Sequence, residues 1–427
     1  MASSVNPPRG MRDFLPAEKA QRERVLAVIR NTYRSHGFDE IETPVMEDSD
    51  RLHAGLGGDN EKLAFAVMRR ALTTDDLKAA AESIELADLG LRFDLTVPLA
   101  RFYASHRAEL PTTFRSIQIA PVWRAERPQK GRYRQFMQCD IDIIGEAGPM
   151  AEVELISATA ATLDALGLSG CSIRINDRRL LASALELLGF PAKEHEPVLI
   201  TIDKLDKLGN AGVISELRNR GFPSGPVDAL EAFFDRPTTM EELPFGEDSI
   251  RAQLPDGVNE AAVSELAAIG LAVDEARGDS TPIVQFDPWL VRGMGYYTGA
   301  IFEVAHPTLG YSLGGGGRYD GMIGRFLGTD VPAAGFSLGF ERLVDLVELE
   351  GSIEVDAAAI VYDTDLSPAA LLTLKTALVA RGRRVTLVPR PKNMRPLLES
   401  LQAQGYQQYA YVSASSIDSD LDFKPIG

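Results

Sequence analysis

The chemistry of this chain is concentrated between Phe114 and Gly145. Five arginines and one lysine fall between Arg115 and Arg134, in a protein of 427 residues with a formal charge of −17. From Gln135 to Ile144 the residues alternate. Phe136, Gln138, Asp140 and Asp142 share one side of an extended strand, and Met137, Cys139, Ile141 and Ile143 share the other. The apolar side suits a core; the other offers an amide and two carboxylates in a row. Upstream, Ile117–Glu126 predicts a second strand, with Val122, Arg124 and Glu126 on the face opposite Trp123, and Arg127-Pro-Gln129-Lys130-Gly131 predicts the hairpin loop between them. A merely solvated sheet face has no reason to gather arginines on one strand and carboxylates on its partner. Such opposed charge suits a ligand with a phosphate at one end and an ammonium or imidazole at the other.

These strands need a frame, and the flanking sequence predicts one. Apolar spacing at Val25, Val28, Ile29 and Tyr33 predicts a helix over Ala17–Ser35, stopped by Gly37 and followed by a strand, Phe38–Thr43, closed by Pro44. Residues 73–88 are helical or looped and carry no chemistry we can name. Leu91–Val97 alternates as a strand with Arg92, Asp94 and Thr96 on one face, and Pro98 opens a helix. Two polar-faced strands close in sequence predict one shared cleft. A helix over Met150–Leu166 and a strand at 171–176 follow. Residues 180–277 change character to helices broken at Gly209-Asn210, Pro223-Ser-Gly-Pro226 and Pro237, which predicts a helical insertion.

The core resumes at Ile283. Gly314–Gly317 is a glycine run without the lysine and hydroxyl of a phosphate-binding loop, so its expected use is to let backbone pass close to a ligand. From Ala357 to Val412 the pattern is strand, helix, strand, helix, strand: Ala357–Tyr362, Pro368–Arg381, Arg384–Val388, Asn393–Gln404 and Gln408–Val412. This predicts a small α/β domain with no closing helix after Leu421.

Composition narrows the function. Forty-five per cent apolar and 25% charged residues are those of an ordinary globular protein, and 427 residues allow two or three domains. No apolar run approaches a membrane span and the first residues lack a leader pattern, so a cytoplasmic location is expected. Two cysteines build neither a disulfide framework nor a zinc cluster, and five scattered histidines make no metal motif, so no resident metal site is expected. A surplus of 61 acidic over 44 basic residues argues against indiscriminate nucleic-acid binding and leaves only local basic patches for an RNA partner.

Arg124-Ala-Glu126-Arg-Pro-Gln-Lys-Gly-Arg132-Tyr-Arg134-Gln-Phe136 resembles motif 2 of class II aminoacyl-tRNA synthetases, in the form found in histidine–tRNA ligases. Other segments resemble the same family. Pro8–Pro16 is similar to its opening, the Ala17–Pro44 order to motif 1 with its dimer interface, and Leu91–Pro98 to its "LRxDLT" strand. Val291-Arg292-Gly-Met-Gly-Tyr296-Tyr297-Thr is similar to its histidine-specific motif, with Gly295 where the family commonly has Asp. Gly316-Gly-Arg-Tyr319-Asp resembles "GGRYD", and Gly335–Arg342 resembles motif 3.

The resemblance spans essentially the whole chain. It implies an α+β fold: a class II antiparallel sheet flanked by helices over residues 1–179 and 278–350, a helical insertion at 180–277, and a shortened anticodon-binding-like domain at 352–427. It implies a homodimer that joins L-histidine to tRNA(His) with ATP and Mg²⁺. By matching position, Arg292 and Arg124 act in activation. Asp94, Thr96, Gln138, Asp142, Arg292, Tyr296, Tyr297 and Tyr319 hold histidine. Arg124, Glu126, Arg132, Phe136, Gly335 and Arg342 hold ATP, and Arg127, Gln129 and Lys130 meet tRNA. Two alternatives stay open on sequence: a non-catalytic regulatory paralogue of ATP phosphoribosyltransferase, and a histidine-activating ligase with a non-tRNA acceptor.

Overall fold

The computed structural model describes residues 5–53, 63–128, 131–236, 244–278, 280–292, 295–349, 356–414 and 421–426. The strands, in chain order, are β1 (Asp39–Glu40), β2 (Met46–Asp48), β3 (Phe65–Met68), β4 (Ala87–Leu91), β5 (Phe114–Trp123), β6 (Gln135–Ile144) and β7 (Ser172–Asp177). They continue with β8 (Val284–Phe286), β9 (Ala300–Ala305), β10 (Gly314–Arg318), β11 (Ala333–Gly339), β12 (Ala357–Tyr362), β13 (Arg384–Pro389), β14 (Gln408–Val412) and β15 (Lys424–Pro425). The chain divides into two compact units, Met1–Asp13 with Val25–Val347, and Phe14–Arg24 with Glu348–Gly427.

The larger unit is built on an eight-stranded sheet in the order β1-β5-β6-β11-β10-β9-β7-β8. All neighbours run antiparallel except the two edge pairs, β1 with β5 and β7 with β8. The β5–β6 hairpin pairs without a break from Phe114↔Ile144 to Trp123↔Gln135. Its apolar residues go inward: Ile117, Val122, Cys139, Ile141 and Ile143 are fully buried. The helix Met150–Ala165 packs against β6 and β11, which covers the face opposite the polar row.

Between β7 and β8 the chain forms the helices Arg178–Leu187, Ala192–Ile202, Leu205–Asn219, Ser224–Phe234, Glu247–Ala252 and Glu260–Ala276. The first and last of these pack back on β7. Gly209, at φ 66° and ψ 171°, breaks the Leu205–Asn219 helix where the Gly-Asn pair predicts an interruption.

Several expected elements come out differently. The strand expected over Leu91–Val97 ends at Leu91, and a helix starts at Thr96. Asp94 accepts the Val97 N–H at 3.2 Å, an orphan donor of that helix's first turn, and Pro98 suits the same turn. The first strand of the hairpin runs Phe114–Trp123, not Ile117–Glu126, because the Ala125 N–H turns aside to the Leu63 carbonyl. Phe38–Thr43 shortens to the two residues of β1. Within 73–88, Thr73 and Asp76 form a reciprocal cap on the helix Thr74–Ala79, and β4 follows a short 3₁₀ turn. With β2 and β3, β4 forms a separate three-stranded sheet, β2-β4-β3.

The smaller unit is a four-stranded sheet, β13-β12-β14-β15, whose first three strands are parallel. Buried clusters form on both faces, one around Ala359, Leu401 and Tyr406 and one around Ile360, Leu378 and Val412. Instead of a closing helix, β15 adds antiparallel to β14. Arg24 of the helix Pro16–Ser35 donates to the Leu349 carbonyl within this unit.

Candidate active site

The polar row of β6 works as a floor because its neighbour β11 supplies almost no side chain. Asp142 faces Gly335 across the ladder, Asp140 faces Ser337, and Gln138 faces Gly339. A Cβ at Gly335 would stand 2.0 Å from Asp142 Oδ1. The run in β10 serves the same end: a Cβ at Gly316 would meet the Gly335 carbonyl at 1.9 Å, at Gly315 the Arg292 guanidinium at 2.7 Å, and at Gly317 the Tyr297 ring at 2.9 Å. These glycines leave the space that Asp142, Arg292 and Tyr297 occupy.

The result is a cleft of about 400 Å³. Asp94, Thr96, Arg124, Glu126, Arg132, Phe136, Gln138, Asp142, Arg292, Tyr296, Tyr297, Tyr319, Gly335 and Arg342 all line it. Gly335, expected on the nucleotide side, lies against Asp142 and Tyr319. Arg127 is exposed and does not line the cleft, while Gln129 and Lys130 lie outside the described residues. Sequence reasoning left Asp140 without a role although it stood in the polar row, and missed Ser337, Glu341 and Tyr133, which also line the cleft. The register of β11 against β6 is the signal that finds Ser337. Glu341 is held by Arg12 and accepts the Met137 N–H at 3.1 Å, contacts far apart in sequence.

The arginines are held by backbone and rings. Arg124 donates to the Phe93 carbonyl at 3.0 Å and lies 5.0 Å from the Phe136 ring centre. Arg342 donates to the Ser312 carbonyl at 2.7 Å and lies 4.9 Å from the Tyr311 ring centre. Arg132 pairs with Glu126 at 3.1 Å, and Arg292 with Glu303 at 2.7 Å. Burial, with Arg132 nearby, lowers the proton affinity of the Arg342 guanidinium. For Arg292 burial acts in the same sense, but Glu303 and Tyr297 outweigh it and the net shift is upward.

The carboxylates have the opposite problem. Burial pushes Asp94 up to about 6, against the Val97 N–H and Arg124, which lower it. It pushes Asp142 up to about 7, against the Tyr319 hydroxyl that donates to Oδ1 at 2.6 Å. Asp140 is raised well above the usual carboxylate range by burial and by Asp142 beside it. Asp94 Oδ2 and Gln138 Oε1 are buried and have no hydrogen-bond partner among the described residues. Buried acceptors without donors cost free energy, and a ligand ammonium repays it. The Tyr296 and Tyr297 rings lie 4.8 Å apart with their planes tilted by 53°, and Tyr319 meets Tyr296 edge-on at 6.0 Å, forming an aromatic wall suited to a flat ring.

A central antiparallel sheet flanked by helices, with arginines and buried carboxylates in one cleft, defines the core of a class II aminoacyl-tRNA synthetase. The sequence model of the histidyl-tRNA synthetase family matches residues 10–343, and the chain belongs to that family. It is 58% identical to the histidine–tRNA ligase of Leifsonia xyli subsp. xyli, over 100% of this chain and 99% of that one. It is 43% identical to a probable histidine–tRNA ligase of Tropheryma whipplei over 99% of each. The histidyl-tRNA synthetase structure from a Nostoc species superposes with a TM-score of 0.77 at 25% identity, covering 99% of this chain and 95% of that chain.

Proposed function

We propose that the chain activates L-histidine with ATP to histidyl-adenylate and transfers the histidyl group to tRNA(His). The observation that carries this reading is the convergence, in one cleft, of Arg124, Arg292 and Arg342 with the buried acids Asp94, Asp140 and Asp142. The histidine carboxylate attacks the ATP α-phosphorus and pyrophosphate leaves. The attacking group is already ionised near neutral pH, so no strong base is needed. What the reaction needs is stabilisation of charge on the separating phosphates, which preorganised guanidinium donors provide. A hydroxyl of the tRNA terminal ribose then attacks the acyl carbon and AMP leaves.

In this reading Asp94 Oδ2 and Gln138 Oε1 accept from the α-ammonium, beside Thr96. Asp142, oriented by Tyr319, accepts from the imidazole between Tyr296 and Tyr297. Arg124, Phe136 and Arg342 hold the nucleotide, with Glu126 and Arg132 at its edge. Among the described residues no group of three acid, histidine or cysteine side chains is placed to hold a metal ion. Mg²⁺ enters with the nucleotide in this reading, as part of the MgATP substrate.

Arg127, Gln129 and Lys130 meet the tRNA acceptor end, residues 180–277 are an insertion domain, and residues 352–427 are an anticodon-binding-like domain. Two copies pair through the first helix and the edge strand β1, in a cytoplasmic enzyme. The experiment that tests the core of this reading is histidine-dependent ATP–pyrophosphate exchange, followed by charging of tRNA(His). Exchange with no charging points to another acceptor; absence of exchange overturns the reading and restores the regulatory alternative.

A further inference from the structure

We propose that Glu303 is a positioning residue that aims Arg292 into the cleft, with Arg174 as its anchor; this rests on histidine activation at the site described above. Glu303 bridges two guanidiniums. Its Oε2 accepts from Arg292 Nη1 at 2.7 Å and its Oε1 accepts from Arg174 Nη2. The ladder explains the geometry: Glu303 on β9 stands opposite Arg174 on β7 and opposite Gly315 on β10. The missing side chain at Gly315 leaves the shelf on which the Arg292 guanidinium rests, since a Cβ there would lie 2.7 Å from Arg292 Cζ and Nη1.

Arg174 is itself fixed. Asp287 Oδ2 accepts from its Nη1 at 3.0 Å, and Asp206 Oδ2 lies 3.5 Å from its Nη2. The other oxygen of Asp287 accepts the Trp289 N–H at 2.9 Å, tying down the backbone just before Arg292. Arg174, Asp206, Asp287 and Glu303 line a second cavity of about 140 Å³, distinct from the cleft that Arg292 lines. The relay thus runs from that cavity through Glu303 to the cleft.

A carboxylate that only neutralised a buried charge would serve folding. This one takes a single Nη of a planar group with five N–H donors, so it sets the group's direction while leaving donors for a phosphate. Misplacement of a catalytic group by about 1 Å can cost on the order of 100-fold in rate. Loss of Glu303 should therefore appear in turnover rather than in ligand affinity.

The test is steady-state histidine-dependent ATP–pyrophosphate exchange on the full-length wild type, Glu303→Gln, Arg292→Lys, the double variant, and Arg174→Met. We expect Glu303→Gln to lower kcat by roughly 10- to 100-fold, with KM for ATP and for histidine within about threefold of wild type. Arg174→Met should show the same split with a smaller loss, and decides the matter if Glu303→Gln does not fold. Because Glu303 acts through Arg292, adding Glu303→Gln to Arg292→Lys should change the rate by less than about threefold, whereas independent roles give multiplying losses. A wild-type kcat in Glu303→Gln, multiplying losses in the double variant, or a loss confined to KM overturns the proposal while leaving histidine activation standing. A wild type with no exchange overturns both.

Discussion

The Tyr319 hydroxyl donates to Asp142 Oδ1 across 2.6 Å, and it favours the charged form of a carboxyl that burial nonetheless pushes up to about 7. The two come from different parts of the chain, Asp142 near the end of β6 and Tyr319 just after β10. Together they set whether this carboxyl can accept from a substrate at neutral pH.

Tyr319→Phe removes that donor and raises the proton affinity of Asp142 further. A net hydrogen bond to a charged group is worth about 1.5–3 kcal/mol, so KM for histidine at pH 7 should rise roughly 10- to 100-fold. KM for ATP should stay near wild type. Exchange kinetics at varied histidine and fixed ATP check this, and an unchanged histidine KM rejects Asp142 as an acceptor for the substrate.

The raised proton affinity of Asp142 also enters stability. The folded carboxyl titrates at about 7 against an unfolded value of 3.8, so the folded state binds more protons in between. Its contribution is fully present below the unfolded value and is lost as pH rises through about 7. The unfolding free energy of the wild type minus that of Asp142→Asn should therefore fall between pH 4 and 7 and level off above. Each pH unit across that window is worth at most about 1.4 kcal/mol. Urea unfolding of ligand-free protein at several pH values measures it; a difference that rises with pH contradicts the assignment.

Gly335→Ala places a methyl where Asp142 Oδ1 now lies, 2.0 Å away. Asp142 must swing from its place beside Tyr319, and histidine activation should fall by at least about 100-fold, in keeping with loss of a well-placed catalytic or binding group. The variant should still bind ATP, read by nucleotide protection in a thermal shift. Normal exchange by Gly335→Ala would show that the carboxylate does not need its present position.

Arg342→Ala should act on the nucleotide alone. The guanidinium is held by the Ser312 carbonyl and lies over the Tyr311 ring, a place from which it can stack over a base. A desolvated cation–π contact is worth about 2 kcal/mol, so KM for ATP should rise roughly 30-fold with the histidine KM within about twofold. Equal rises in both would place Arg342 elsewhere in the reaction.

Arg92 was expected on the ligand face with Asp94, and the structure turns it away. Its guanidinium is buried against the carbonyls of Thr43, Pro44 and Pro121, at 2.8, 3.2 and 3.0 Å. Arg92→Met leaves those acceptors without their charged donor and should cost about 3 kcal/mol of stability, with exchange kinetics at low temperature little changed. Denaturant unfolding checks the first and exchange the second.

The difference between Asp94 and Arg92 shows what the sequence could carry. The polar row of β6 was legible because a strand's two-residue period follows directly from residue type, and ten residues of it pair without a bulge. The α/β unit from Ala357 to Val412 was legible for the same reason, with strands and helices each of one clear period. Leu91–Val97 was not, since its seven alternating residues also fit an irregular entry into a helix, and the hydrogen bond that Asp94 accepts from the Val97 N–H settles it. The bridge from Arg292 to Arg174 joins β7 to residues more than a hundred positions away, and no local pattern encodes that distance. Asp140 stood in view, but its partner Ser337 becomes visible only once β11 is placed in register.

β7 and β8 are parallel neighbours, Ile173 pairing with Val284, and the helical run between them is one long crossover. Both ends of that crossover are pinned by the sheet: it leaves β7 after Asp177 and enters β8 at Val284, beside Ile173, so its ends lie about a strand's length apart, roughly 13 Å at 3.3 Å per residue. Closing a chain between fixed points costs free energy only as the logarithm of its length. The sheet is therefore nearly indifferent to how much polypeptide enters there, so long as the helices Arg178–Leu187 and Glu260–Ala276 remain to cover β7. The cleft is less indifferent than the sheet: Asp206, inside that run, lies 3.5 Å from Arg174 Nη2, and Phe234 meets Trp289 edge-on, so a replacement module keeps Arg292 in place only if it restores those contacts.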